Sequence, residues 1–165
     1  IPKSYTVSVS ETINQPKQVV YDYVRLLENQ EDYSVWVMED PNLNPEITGT
    51  DGTVGAVQRW NSQMDNVGEG EQEITALTSD RMDIEIRFKR PFEGTARAAN
   101  IFNAVSENQT QLTSEFYSND RYPINLMSYV FGRKMIEKAQ IQNLKNIKNI
   151  LEKQLNNKKL ELWQQ

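Results

Sequence analysis

The chain has 165 residues, of which 38% are hydrophobic and 25% are charged, and its formal net charge is −5. This length and balance are typical of one globular domain and fit neither a disordered tail nor a membrane protein, so we expect residues 1–165 to form a single domain. Cysteine and histidine are both absent, which excludes disulfides, thiolate chemistry, Ser-His-Asp catalysis and zinc sites built on these residues.

The first predicted elements are a strand and a short amphipathic helix. Residues 4–13 alternate apolar and small polar side chains, which is the period-two pattern of a half-buried strand. Asn14 is a candidate helix cap, and Pro16 suits a first helical turn. The apolar residues that follow at helical spacing are Val19, Val20, Tyr23, Val24 and Leu27.

A loop-rich stretch separates this helix from a run of strands. Residues 28–53 have no strong period and contain two prolines and two glycines, so we predict one helical turn over 32–37 and loop after it. The strand-like runs that follow cover 55–62, 67–77, 81–90, 94–105 and 111–118. Their connections are only three to five residues long. Because a parallel crossover needs a dozen residues or more, we predict an antiparallel up-and-down sheet.

After Pro123 the pattern changes to that of one long amphipathic helix of roughly 30 residues. Its apolar stripe comprises Met127, Phe131, Met135, Ala139, Leu144, Ile147, Leu151 and Leu155. A strongly bent sheet can bury its concave face only against this helix, and a cavity can remain where the two diverge.

The predicted helix is also the basic part of the chain. Residues 132–165 carry eight Lys or Arg against three Glu, which leaves a charge of −10 on the rest. We interpret this surplus as a solvated helix face, since five net charges over so long a helix make a weak phosphate-binding surface. We therefore expect no nucleic-acid partner. No apolar run reaches the length of a membrane span, so we also expect no membrane insertion by this chain.

Five short motifs stand in a characteristic order along the chain. They are residues 13–24 (INQPKQVVYDYV), residues 51–56 together with Trp60, residues 68–71, residues 87–94 and residues 144–152. In these motifs the sequence resembles the START-like or helix-grip superfamily and, within it, the bacterial polyketide cyclase/dehydrase-like (SRPBCC) proteins. The resemblance covers nearly the whole chain.

The resemblance implies an α+β helix-grip fold, in which a curved antiparallel sheet wraps around a long C-terminal helix and encloses a cavity for a hydrophobic ligand. The family includes carriers, cyclases and co-chaperone-like domains, so the fold leaves the function open. Relatives often carry an apolar segment just before a stretch like residues 1–5. Localisation therefore stays open. The protein is either cytoplasmic or anchored to a membrane by an apolar segment that was removed before Ile1.

Apolar and polar side chains are both predicted to line the cavity. Alternation along the strands, together with the strand register that the resemblance implies, places Trp60, Ile86, Phe88, Phe102 and Phe116 on the inward face of the sheet. The long helix contributes Met127, Phe131 and Met135. For each of them ordinary core packing is the alternative. The same register turns four polar residues inward: Gln58, Gln72, Asn100 and Ser114. An unpaired buried amide costs about 1 to 3 kcal/mol, so these groups must bond to one another, to water or to the polar end of a ligand.

The remaining charged strand residues give no catalytic pattern. Glu69, Glu71 and Glu73 share an outward face with Glu85 and Arg87. The sequence contains no phosphate loop, metal-ligand spacing or nucleophile elbow, so we expect no catalytic residue, metal or cofactor.

The leading hypothesis is a noncatalytic binding or carrier domain for a small hydrophobic or amphipathic ligand. The alternatives are a polyketide cyclase/dehydratase-like enzyme acting in the same cavity and a protein-interaction module. The sequence leaves ligand identity and oligomeric state open.

Overall fold

The computed structural model describes residues 4–118 and 132–165. Within these ranges the strands are β1 (Tyr5–Ile13), β2 (Glu46–Thr48), β3 (Val57–Asn61), β4 (Glu69–Leu77), β5 (Arg81–Arg90), β6 (Gly94–Ser106) and β7 (Gln109–Ser118). The helices are α1 (Lys17–Val24), α2 (Gln30–Tyr33), α3 (Val35–Glu39) and α4 (Arg133–Trp163), with a 3-10 turn over Leu27–Asn29. None of these helices is long and apolar enough to cross a membrane.

The strands form one antiparallel sheet in the order β1-β7-β6-β5-β4-β3-β2. Strands β3 to β7 form the predicted meander, β2 pairs with β3 at one edge, and β1 pairs with β7 at the other, from Tyr5 opposite Ser118 to Ile13 opposite Thr110. Helix α4 is 31 residues long and packs against this sheet. The predicted α+β helix-grip architecture is confirmed. The structure adds β2, a strand of three residues inside the predicted loop.

The hydrophobic core lies between α1, the concave face of the sheet and the middle of α4. Its buried members are Ile13, Val20, Val24, Leu27, Tyr33, Ala56, Ile74, Met82, Ile84, Phe102, Leu112, Leu144, Ile147 and Leu151. Helix α4 contributes the last three of these, and Ala139 is buried on the same helix. The helix therefore supplies apolar surface that the concave face of the sheet needs for burial.

Hydrogen bonds fix α4 to the chain segment that follows β1. The Gln15 side-chain Nε2 donates to the Leu151 carbonyl at 2.7 Å, and the Asn14 backbone N–H donates to the Glu152 carboxylate at 3.0 Å. Lys148 also donates to this carboxylate at 2.8 Å. Burial alone would raise the pKa of Glu152, but the hydrogen bonds from Lys148 and Asn14 outweigh it and lower the pKa below its ordinary value.

The convex face of the sheet carries an ion-pair network centred on Arg87. Its guanidinium donates to Glu85 at 2.7 Å, Glu71 at 2.8 Å and Glu73 at 3.0 Å. Arg59 lies 2.9 Å from the second oxygen of Glu71. The hydrogen bond from Arg87 is the main cause that holds the pKa of Glu71 below its ordinary value. Much of the acidic charge on these strands is therefore neutralised within the sheet.

Candidate ligand cavity

A cavity of about 400 Å³ lies between the concave face of the sheet and the N-terminal half of α4. Strands β3 to β7 form one wall, while α2, α3 and the loop after them close one side. Leu144 and Ile147 belong both to the core and to the cavity lining, so they mark the boundary where the helix leaves the sheet. The volume falls within the range of about 300 to 1,000 Å³ that is usual for small-molecule sites.

Two aromatic rings cover the β3–β5 end of the cavity. Trp60 and Phe88 meet edge to face, with their ring centroids 6.3 Å apart. The Trp60 indole N–H donates to the Val67 carbonyl at 3.2 Å, which satisfies the polar atom of the ring. Gly70 lies opposite Trp60 in the sheet, and a Cβ placed there would stand 2.7 Å from the indole ring. The glycine therefore makes room for the indole.

Apolar side chains make up most of the remaining lining. They include Tyr33, Trp36, Val37, Leu43, Ile84, Ile86, Ala98, Phe116, Met135, Ile136, Leu144 and Ile147. Trp36 and Phe88 are each 37% exposed and Met135 is 57% exposed. An apolar surface of this kind releases water when it binds an apolar molecule.

Three glutamines form one polar group in the lining, which we call the glutamine cluster (Gln30, Gln58 and Gln72). The Gln72 Nε2 lies 2.5 Å from Gln58 Oε1 and 2.6 Å from Gln30 Oε1. Gln58 Nε2 donates to the Leu27 carbonyl at 3.2 Å. Gln30 Nε2 donates back to Gln72 Oε1 at 3.3 Å. Each amide of the cluster therefore has partners within the protein.

A second polar group, which we call the Asn100 cluster, consists of Asn100, Ser114 and Gln140. Asn100 and Ser114 are direct neighbours across β6 and β7, and all three side chains line the cavity. Gln140 comes from α4, and its Nε2 lies 3.1 Å from Ser114 Oγ. Gln140 is only 9% exposed. Its Oε1 is buried and has no hydrogen-bond partner in residues 4–118 and 132–165.

The ionisable side chains of the described lining are Tyr33 and Arg90. Burial is the main cause that raises the pKa of Tyr33, so its hydroxyl stays protonated at neutral pH. Arg90 donates to Glu69 at 3.2 Å, to the Asn61 side chain at 2.5 Å and to the Ser62 carbonyl at 3.0 Å. The described ranges contain no group of three or more carboxylates that could hold a metal ion.

The structure places most of the residues predicted as ligand-binding around this one cavity. They are Gln58, Trp60, Gln72, Ile86, Phe88, Asn100, Ser114, Phe116 and Met135. Phe102 lies in the core instead, where it is 1% exposed and its ring meets Tyr21 edge to face at 5.0 Å. The reason is that α1 covers this end of β6. Met127 and Phe131 fall outside the described residues.

The sequence reasoning missed Gln140. The residue lies between Ile136 and Leu144 at intervals of four, so it interrupts an apolar helix face that also lines the cavity. A polar residue at such a position is the signal that could have identified it.

No family model matches the sequence, and a search of curated proteins also gave no match. Solved structures do match. Protein MLL2253 from Mesorhizobium loti aligns with a TM-score of 0.65 and 16% identity, over 90% of this chain and 98% of that chain. Ara h 8.0201 aligns with a TM-score of 0.57 and 13% identity, over 89% of this chain and 97% of that chain.

A third match is BexL, the di-domain ARO/CYC from the BE-7585A biosynthetic pathway. It aligns with a TM-score of 0.60 and 15% identity, over 90% of this chain and 50% of that chain. The present chain thus spans half of BexL. At these identities the matches establish the fold alone, and they confirm the resemblance to START-like, SRPBCC-type helix-grip proteins as a resemblance of fold.

Proposed function

We propose that this chain is a noncatalytic binding or carrier domain for a small hydrophobic or amphipathic ligand, which it holds in the cavity between the sheet and α4. The observation that carries the proposal is the cavity of about 400 Å³, whose described lining is mostly aliphatic and aromatic. Each Å² of apolar ligand surface removed from water there contributes about 25 cal/mol. Apart from Arg90, the polar groups of the described lining are neutral amides and hydroxyls, which can orient a ligand by hydrogen bonds.

A cyclase/dehydratase-like enzyme is the second candidate, and the likeness in fold to the ARO/CYC protein BexL favours it. Such an enzyme needs a group that exchanges protons with the substrate. Of the ionisable groups in the described lining, Tyr33 has a raised pKa and Arg90 is bound by Glu69 and Asn61. These properties suit binding better than proton transfer near neutral pH.

The proposal is tested by purifying the chain without added ligand, denaturing it and analysing the released small molecules by mass spectrometry. A variant that fills the cavity serves as the comparison. Ala98 lines the cavity between Ile84 and Phe116, so Ala98→Trp places an indole in the space that the ligand would occupy. Ala104 is exposed on the same strand, which makes Ala104→Trp the matched control.

We expect apolar or amphipathic molecules from the wild type and from Ala104→Trp, and at least about tenfold less from folded Ala98→Trp, because its indole occupies the binding space. Equal amounts from all three proteins would mean that such molecules bind elsewhere, and this result would refute the proposed site.

A further inference from the structure

We infer that the cavity selects ligands carrying a neutral hydrogen-bond donor, a hydroxyl or an N–H, which binds at the Asn100 cluster and donates to Gln140 Oε1. The inference rests on the proposed function, because it assumes that the cavity holds a ligand. It adds the chemical class of the ligand and the position of its polar end.

The unpaired oxygen of Gln140 is the observation that points to a donor. This oxygen is buried and lacks a partner in the described residues, while the nitrogen of the same amide is already engaged by Ser114. Buried polar atoms are almost always hydrogen-bonded, so an exception at a ligand cavity calls for a partner from outside the chain. A carbonyl oxygen can only accept, and that partner must therefore donate.

The glutamine cluster does not offer a ligand a comparable unpaired acceptor. Its three amides donate to one another and to the Leu27 carbonyl. A ligand that bound there would have to break existing hydrogen bonds, and the exchange would bring little net gain. The polar end is thus directed to the Asn100 cluster, although Gln58 and Gln72 were expected from the sequence to share in binding it.

The charges near the cavity favour a neutral ligand. The described lining contains one cation, Arg90, and Glu69 and Asn61 already bind it. A carboxylate or phosphate that entered the cavity would lose its hydration without gaining a free cation, which is costly. The apolar body of the ligand has a place beside the cluster, because Ala98 and Phe116 lie two residues away from Asn100 and Ser114 on the same sheet face.

Four probes that share a naphthalene body separate these features. 2-Naphthol can donate, 2-methoxynaphthalene can only accept, naphthalene does neither, and 2-naphthoate is an anion. Their dissociation constants are measured by calorimetry or by competition with a fluorescent probe. We expect 2-naphthol to bind about tenfold more tightly than 2-methoxynaphthalene, as one additional hydrogen bond predicts. 2-Naphthoate should bind more weakly than 2-naphthol.

A substitution then assigns the preference to Gln140. Gln140→Met keeps a flexible side chain of similar size and removes the unpaired oxygen, so the variant should melt at or above the wild-type temperature. It should lose the roughly tenfold preference for 2-naphthol over 2-methoxynaphthalene. Gln154→Met provides the control, because Gln154 is exposed on the same helix.

The possible outcomes separate this inference from the proposed function. If none of the four probes binds, the proposed function fails. If naphthalene, 2-naphthol and 2-methoxynaphthalene bind equally, or if the methoxy compound binds most tightly, the cavity binds apolar bodies but the donor preference is refuted. A preference for 2-naphthol that survives in Gln140→Met also overturns the inference. The wild-type probe series decides the donor preference even if that variant does not fold.

Discussion

Gly70 shows how a single residue shapes the cavity. A Cβ at this position would stand 2.7 Å from the Arg87 carbonyl oxygen and 2.7 Å from the Trp60 ring. The ring could turn away, but the backbone oxygen is fixed by the sheet. Any side chain at Gly70 must therefore displace a strand as well as the indole that covers this end of the cavity.

We predict that Gly70→Ala lowers the free energy of unfolding by about 1 to 3 kcal/mol, the usual cost of overpacking. Urea denaturation measures the change. Gly94→Ala is the matched control, since a Cβ at Gly94 meets no atom within 4 Å. Equal midpoints for the two variants would show that the sheet accommodates a side chain at Gly70 as easily as at Gly94.

Alternation along the strands predicted which side chains face inward, but it could not predict what they contact. Gln58 and Gln72 turn into the cavity as expected, yet their amides are bound by each other and by Gln30 from α2. That contact joins residues 42 positions apart, and a local pattern contains no information about it. Phe102 and Phe116 likewise both face inward, and only the position of α1 places Phe102 in the core.

Among the elements, the contact between α4 and the segment after β1 depends on the ionised carboxylate of Glu152. Its pKa in the folded protein is lower than its ordinary value. The ordinary pKa of a glutamate is about 4.3. The carboxylate therefore contributes its full stabilisation above about pH 4.3, and the contribution is lost as the pH falls through the lower folded pKa.

We predict that Glu152→Gln destabilises the protein by about 1 kcal/mol at about pH 7, and that the difference from wild type is smaller at about pH 3. The measurement is urea unfolding at both pH values. Glu161→Gln is the control, because Glu161 is exposed near the end of the same helix. A difference that is equally large at both pH values would contradict the role of the ionised carboxylate.

Elements with a long repeated pattern were predictable from the sequence, and the shortest ones were not. The stripe of α4 repeats over many turns, and β4 to β7 each span at least nine residues. Strand β2 has only three residues, too few for alternation to be recognised. Its place at the sheet edge follows from pairing with β3, from Glu46 opposite Arg59 to Thr48 opposite Val57.

On the scale of the whole molecule, the sheet and α4 depend on each other for burial. Leu144, Ile147 and Leu151 of the helix are buried in the core. Beyond them the chain is exposed from residue 156 to residue 165. We therefore predict that deletion of 132–165 gives protein without cooperative unfolding, whereas deletion of 156–165 leaves the fold intact.

Circular dichroism during urea titration distinguishes these two truncations. If the chain without residues 132–165 still unfolded cooperatively with strand signal, the helix would not be needed to cover the sheet.

The antiparallel sheet and the terminal helix were predictable because short loops and helical period are local properties. The cavity forms where two elements that are distant in sequence diverge. Its detailed lining could therefore be identified only from the structure.

A fluorescence titration with N-phenyl-1-naphthylamine examines the cavity itself, because this neutral probe brightens when it leaves water for an apolar site. For the wild type and Ala104→Trp we expect saturable binding of one probe per chain. Folded Ala98→Trp should bind the probe at least about tenfold more weakly, since an indole then occupies the cavity, and tenfold is about 1.4 kcal/mol. Equal affinity in all three proteins, or no saturable binding in the wild type, would contradict a ligand site between the sheet and α4.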